Sequence, residues 1–106
     1  MQLLSSEVLN EIVSRLVKRL QPEKIIPFGS HAYGGPTVDS DIDLLIILSD
    51  SDQPHHRRAS HAYEFLWGLT APTELLVLTH QEVEKRVTVK NSLVNEAVNR
   101  GRVLYE

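Results

Sequence analysis

The sequence predicts an α+β fold in which a small β-sheet is flanked by helices. Two observations predict it: an amphipathic helical period near the N-terminus, and three short apolar runs that are bounded by turn residues. The predicted order is helix, strand, strand, helix, strand, helix, helix, with a short strand or an extended tail at the end. Three or four strands covered by helices can close one core, so we expect residues 1–106 to form a single domain.

The first half of the chain is predicted to contain one helix and two strands. Apolar residues at helical spacing, with charged residues on the other side, predict a helix from Ser6 to Leu20. A short strand follows from Lys24 to Phe28. Pro27 within it has no N–H to donate, so we expect this strand to meet a sheet edge or a bulge there. The apolar run from Asp41 to Leu48 predicts the central strand, and a helical turn is expected in the loop before it, at residues 30–33.

The second half is predicted to contain three helices and one strand. Pro54 can open a helix at its first position, and the apolar spacing continues that helix to Leu69. A third strand is predicted from Thr73 to Leu78. The stretch from Thr79 to Glu82 has the spacing of a capping box, so a short helix starts there. A last helix is expected from Ser92 to Arg100.

Composition favours an ordinary globular protein and excludes several classes. Hydrophobic residues make up 42% of the chain and charged residues 24%, which is usual for such proteins. The net charge of −3, without a long basic block, gives no basis for direct nucleic-acid binding. The longest apolar run is too short to span a membrane, and the N-terminus lacks the features of a signal peptide. Without cysteine there is no disulfide or thiolate metal site. We therefore expect a cytoplasmic protein.

Two aspartates stand at the start of the central strand. Because side chains alternate along a strand, Asp41 and Asp43 share a face, with their Cα atoms roughly 7 Å apart. Burial of an unpaired carboxylate is costly, so these groups either face water or hold a cation. Mg²⁺ prefers such oxygen ligands and usually keeps substrate phosphates in its shell, and two-metal sites clamp the oxygens of a phosphoryl displacement. Taken alone, however, two aspartates at this spacing most often mark a solvated strand end.

The loop before these aspartates suits a phosphate group. Gly29 lets the backbone approach a ligand closely, and Ser30 offers a hydroxyl and an N–H at the start of a predicted helical turn, where phosphate is favoured. Gly34 and Gly35 then let the chain turn back toward the aspartates. Together, the loop and the strand predict a site for a nucleoside triphosphate and its metal ions.

The whole string GSHAYGGPTVDSDIDLLI is far more specific than its parts. It resembles the signature of the nucleotidyltransferase superfamily that includes DNA polymerase beta and kanamycin nucleotidyltransferase, and it is most similar to the minimal nucleotidyltransferase (MNT) domains. The residues that match the motif of these domains are Gly29, Ser30, Ser40, Asp41, Asp43 and Leu44. The resemblance covers essentially the whole chain. It implies a mixed β-sheet flanked by helices, as in the palm of polymerase beta.

The resemblance also implies a third carboxylate on a neighbouring strand, which ligates a metal ion and helps to deprotonate the attacking hydroxyl. Glu74 occupies that place here, where the family usually has aspartate. Because glutamate is longer than aspartate, we expect the substitution to affect the catalytic rate more than nucleotide binding. The alternative is that Glu74 is a solvated residue at the start of a strand. His31 stands where the family often has arginine. A neutral imidazole is a weaker phosphate partner, and His31 could equally be a surface residue.

The activity implied by the resemblance is transfer of a nucleoside monophosphate, AMP from ATP, to a hydroxyl group. Asp41, Asp43 and Glu74 would bind two Mg²⁺ ions, and Gly29 and Ser30 would hold the phosphates. We expect the chain to be too short for the second domain with which larger relatives hold an acceptor, which points to a partner in a hetero-complex or an oligomer. The resemblance implies a HEPN-domain protein, which this chain would bind or adenylylate as an antitoxin. The alternative is a catalytically weak or inactive binding module that inhibits such a partner by contact alone.

Two further features have competing interpretations. The histidine- and arginine-rich segment from His55 to His61 suggests a metal cluster, but neighbouring imidazoles cannot share a helix face and no further ligand follows at metal spacing. A solvated basic helix start is favoured, with a docking surface for an acidic partner as the alternative. Tyr63 and Trp67 are four residues apart and can meet on one helix face. We expect them to pack in the core or at its rim rather than to stack bases.

Overall fold

The computed structural model describes residues 6–28, 42–69, 73–89, 93–100 and 103–106. The helices and strands within them are α1 (Ser6–Leu20), β1 (Lys24–Phe28), β2 (Ile42–Leu48), α2 (His55–Glu64), β3 (Thr73–Thr79), α3 (His80–Val87) and α4 (Leu93–Arg100). The predicted α+β class and order of elements are confirmed. The helical turn expected at residues 30–33 lies outside the described residues.

The three strands form one mixed sheet in the order β1-β2-β3. β1 runs antiparallel to β2, and β3 runs parallel to β2, so a crossover must join the parallel pair and α2 lies in that connection. β1 is at one end of the strand order, as its proline predicted. The last residues of the chain add a single antiparallel bridge to β1: the Ile25 N–H donates to the Tyr105 carbonyl over 2.9 Å, and the Leu104 N–H donates to the Ile25 carbonyl over 2.8 Å.

The sheet separates two apolar clusters. On one face, α1 and α2 cover alternate residues of β2, and that cluster includes Ile12, Leu16, Ile42, Leu44, Ile46, Ala62 and Leu66. On the other face, α3 and α4 cover the remaining residues, and that cluster includes Phe28, Leu45, Ile47, Leu78, Val94 and Ala97. We call these the α1/α2 face and the α3/α4 face. Burial on both faces explains why β2 reads as a continuous apolar run rather than as an alternating one.

Helix α2 is shorter than predicted, because it ends at Glu64 and not at Leu69. Hydrogen-bonded turns follow, in which the Phe65 N–H donates to the Ala62 carbonyl over 3.1 Å. Gly68 adopts a φ of +92°, a value that favours glycine and does not continue a helix. Ala62 and Leu66 are nevertheless both buried, so the apolar spacing reports burial in the core correctly but overestimates the length of the helix.

The expectation for Trp67 was wrong, since 86% of this residue is exposed. Its place after the end of α2 removes it from the helical face that it would otherwise share with Tyr63. Tyr63 is 41% exposed, and its hydroxyl accepts a hydrogen bond from the Leu75 N–H over 2.8 Å. Tyr63 therefore lies at the rim, where it connects α2 to β3.

The predicted capping box begins α3. The Thr79 hydroxyl accepts from the Glu82 N–H over 3.3 Å, and the Glu82 carboxylate accepts from the Thr79 N–H over 2.9 Å. The same carboxylate pairs with Arg58 of α2, which is 9% exposed and also donates through Nε to the Gln53 carbonyl over 3.1 Å. Arg58 is thus a structural residue, and the interpretation of its segment as merely solvated was incomplete.

Candidate functional site

Asp43 is the second residue of β2 and is partly buried, between two fully buried neighbours. Ile42 and Leu44 both belong to the cluster on the α1/α2 face. Since side chains alternate along a strand, Asp43 is directed to the α3/α4 face. An aspartate in an otherwise apolar strand needs polar groups or a cation to satisfy it, and its position near the start of β2 makes Asp43 a candidate for the functional role that the sequence predicts.

Glu74 is the register partner of Asp43 on the adjacent parallel strand. Leu75, the next residue, belongs to the cluster on the α1/α2 face, so Glu74 is directed to the same face as Asp43. Neighbouring strands are about 4.8 Å apart. The structure therefore brings two of the three predicted carboxylates side by side, with Glu74 exposed and Asp43 partly buried.

The end of β1 lies on the other side of Asp43. Phe28 is the register partner of Asp43 in the antiparallel pair, and Gly29 follows it directly in sequence. The other predicted site residues, Gly29, Ser30 and Asp41, lie outside the described residues, as does His31. Their roles stay predictions.

An apolar row lies next to the carboxylates on the same face. Two residues further along β2, Leu45 pairs with Ile26 of β1 and with Leu76 of β3. Ile26 and Leu45 are buried, and Leu76 is partly buried. Charges next to such an apolar surface are screened less than charges in bulk water, so a cation held by Asp43 and Glu74 would be attracted more strongly than at an ordinary surface.

The chemistry of these side chains fits a hard divalent cation. Both supply carboxylate oxygens, which Mg²⁺ prefers. Like charges directly across two strands are unfavourable, and a bound cation would remove that cost. Among the residues that the structure describes, no cluster of three or more His, Cys, Asp or Glu could hold a metal ion. Two carboxylates are fewer ligands than such a site needs, and the third that the sequence predicts, Asp41, lies outside the described residues, so the metal site stays a prediction.

A histidine between two carboxylates lies at the opposite end of the sheet. His80 begins α3, with its Nδ1 2.9 Å from Glu23 and its Nε2 2.8 Å from Glu84. These two contacts, with Glu23 the stronger, raise the pKa of His80. The contact with His80 correspondingly lowers the pKa of Glu23. The contact of His80 with Glu23 links the segment before β1 to α3. It lies apart from Asp43 and Glu74.

Comparisons with known proteins identify the family and agree with the fold. Residues 7–104 match the family model described as "Nucleotidyltransferase domain". A crystal structure from Sulfolobus solfataricus, of a protein provisionally titled a nucleotidyltransferase, is similar to this one with a TM-score of 0.67. The two sequences are 20% identical, and the alignment covers 94% of this chain and 78% of that one. Comparison with curated proteins gives no significant match. No helix in the described part of the chain is long and apolar enough to cross a membrane.

Proposed function

Because the chain belongs to the nucleotidyltransferase domain family, we propose that it transfers AMP from ATP to a hydroxyl group and releases pyrophosphate. General nucleotidyl transfer follows from the family itself. So does the use of a nucleoside triphosphate with divalent metal ions, which is general among these domains. The donor, the acceptor and the residue roles below are our proposal.

The register of β2 and β3 carries the proposal. It puts Glu74 beside Asp43 on one face, at the strand ends next to Phe28. Two carboxylates on adjacent strands are suited to hold a divalent cation against a triphosphate. Asp41 is proposed to add its carboxylate from the residue before β2, and Gly29 and Ser30 to bind the phosphates.

The proposed reaction needs little covalent chemistry from the protein. Glu74, which is exposed, accepts the proton of the attacking hydroxyl. The hydroxyl oxygen forms a bond to the α-phosphorus of ATP as the bond to the β-phosphate oxygen breaks, and pyrophosphate carries away the electron pair. Bound magnesium would supply charge neutralisation on the triphosphate and on the leaving pyrophosphate. Asp41 and Asp43 would hold the divalent cation and so orient the triphosphate, because positioning accounts for most of the catalysis in phosphoryl transfer.

We propose a protein acceptor of the HEPN-domain class, with this chain acting as its antitoxin. The resemblance to MNT domains supports this assignment. The exposure of Glu74 is compatible with it, because a base that serves a macromolecular hydroxyl must be accessible from outside.

Label transfer tests the proposal. The protein is incubated with Mg²⁺, a HEPN-domain protein and ATP labelled at either the α- or the γ-phosphate. We expect label on protein from α-labelled ATP only, and none with Asp43→Asn. Label from γ-labelled ATP would indicate phosphorylation instead. Absence of α-label, together with neutralisation of the toxin in cells that survives Asp41→Asn, Asp43→Asn and Glu74→Gln alike, would replace the enzymatic proposal with inhibition by contact.

A further inference from the structure

A groove of about 530 Å³ lies between α1 and the turns that follow α2. Three basic residues of α1 line it, namely Arg15, Lys18 and Arg19. Phe65 contributes an aromatic ring, and Glu11 and Glu64 also line the groove. We call this surface, together with the adjacent Trp67, the basic-aromatic groove. It belongs to the helix layer on the α1/α2 face.

Arg15 holds the turn that presents Trp67. Its Nη1 donates to the Phe65 carbonyl over 3.3 Å and to the Trp67 carbonyl over 3.1 Å. The turn has its own hydrogen bonds as well, including that from the Leu69 N–H to the Leu66 carbonyl over 3.1 Å. The backbone of the turn is therefore ordered before any partner binds, while the Trp67 indole lies in solvent. Binding at Trp67 therefore has to order the side chain but not the backbone that carries it, which lowers the entropic cost.

The charges of the groove are only partly compensated. Arg15 lies 3.9 Å from the Glu11 carboxylate, but neither Lys18 nor Arg19 forms an ion pair within the described ranges. The Arg19 guanidinium instead stacks over the Phe65 ring at 5.7 Å from its centroid. Lys18 and Arg19 thus line the groove beside Phe65 without a carboxylate partner within the described part of the molecule.

We propose that the basic-aromatic groove binds an acidic protein segment that also carries apolar side chains. Trp, Tyr and Arg are the residues most enriched at the energetic centres of protein interfaces. Lys18 and Arg19, which form no ion pair among the described residues, complement carboxylates of the partner. Glu11 and Glu64 in the same groove would repel the continuous charge of a nucleic acid, whereas a protein segment can place its carboxylates beside Lys18 and Arg19 alone. A mixed surface of this kind suits a protein partner.

The groove and the carboxylate pair lie on opposite faces of the sheet. A segment bound at Trp67 would therefore leave Asp43 and Glu74 accessible. The proposal does not rest on nucleotidyl transfer, since none of the residues in the groove belongs to the candidate active site. A failure of binding at the groove and a failure of label transfer are independent results.

Trp67 gives the experiment a specific reporter, because it is the only tryptophan in the chain. The protein is titrated with a synthetic acidic peptide of Glu, Leu and Ala, and with a matched peptide in which Gln replaces each Glu. Oligothymidylate is the third probe. We expect the acidic peptide to shift the Trp67 emission to shorter wavelength, with an affinity that falls as salt is added. The Gln peptide should bind at least about tenfold more weakly.

Charge-reversal variants locate the binding. Lys18→Glu with Arg19→Glu should weaken the binding of the acidic peptide at least about tenfold. The matched control is Lys85→Glu with Arg86→Glu, the same dipeptide in α3 on the other face, which should leave the affinity unchanged. Trp67→Ala, measured by calorimetry, should also lose binding. The proposal is overturned if the acidic peptide produces no shift, if both charge reversals act alike, or if oligothymidylate binds more tightly than the peptide.

Discussion

Asp43 of β2 lies directly beside Glu74 of β3, because the two parallel strands pair in that register. A slip of one residue would turn the Glu74 side chain to the opposite face. Buried partners hold the register, such as Leu44 with Leu75, and the Tyr63 hydroxyl binds the Leu75 N–H on the other side of β3. The packing of the core therefore determines where the two carboxylates meet.

Asp43→Asn should remove the stabilisation that ATP with Mg²⁺ gives to the protein. Ligands that bind the folded state raise the melting temperature, and the substitution removes the charge that attracts the cation. The melting temperature of the unliganded protein should stay the same or rise, since asparagine keeps the size of the side chain and removes the repulsion from Glu74. Thermal unfolding with and without ATP and Mg²⁺ measures both effects. Asp52→Asn, an exposed residue before α2, is the control that should keep the full rise. A full rise in Asp43→Asn would exclude this residue as a metal ligand.

Glu74→Gln should lower nucleotidyl transfer at least about 100-fold, the lower bound for loss of a general base. Nucleotide binding should fall less, because Asp41 and Asp43 would still hold a cation. Glu74→Asp should retain transfer, since it keeps the carboxylate and restores the residue usual in the family. Initial rates of label transfer and the affinity for ATP separate the two effects. Equal rates for wild type and Glu74→Gln would remove Glu74 from the catalytic set.

Ser30→Ala should weaken the binding of ATP more than the binding of AMP. The predicted contact is between Ser30 and the terminal phosphates, which AMP lacks. Calorimetric titration with both nucleotides in the presence of Mg²⁺ gives the comparison. If both affinities fell by the same factor, Ser30 would lie away from these phosphates and the assignment of the loop would be wrong.

Glu82→Gln should make the free energy of unfolding less dependent on pH in the acidic range. Partial burial opposes ionisation of Glu82, but hydrogen bonds from Arg58 and Thr79 outweigh it and lower the pKa to about 2 from 4.5. The stabilisation is present above pH 4.5 and is lost as the pH falls toward 2. Allowing for solvent screening, it amounts to about 1–2 kcal/mol. Urea unfolding at a series of pH values measures it. An unchanged pH dependence in Glu82→Gln would refute the assignment.

His80 should stabilise the protein at low pH and less so above neutrality. Contacts with Glu23 and Glu84 raise the pKa of His80 above 6.5. Its contribution is therefore fully present below pH 6.5 and is lost as the pH rises through the raised pKa. NMR titration of the imidazole should show that Glu23→Gln lowers this pKa more than Glu84→Gln does. High salt should lower it as well, because the group is exposed. A titration that is insensitive to both substitutions would contradict the prediction.

Local signals in the sequence predicted much of the fold. The bounds of α1 and β1 follow from apolar spacing and from a proline, and the start of α3 follows from the capping box at Thr79. Helical spacing failed for Trp67, because the helix ends before that residue and the turn redirects its side chain. The ion pair of Arg58 with Glu82 was also missed, since nothing local indicates which distant carboxylate a buried arginine will meet.

The sequence by itself determined the mixture of helices and strands and the motif that resembles nucleotidyltransferases, and it predicts that Asp41 and Asp43 share one face of the central strand. Each depends on residues close together in the chain, where backbone periodicity governs side-chain direction. Only the tertiary structure decided that Glu74 stands beside Asp43 and that Arg15 binds the turn carrying Trp67. These contacts join distant segments, and they form because burial of both faces of the sheet selects one strand register and one placement of the helices.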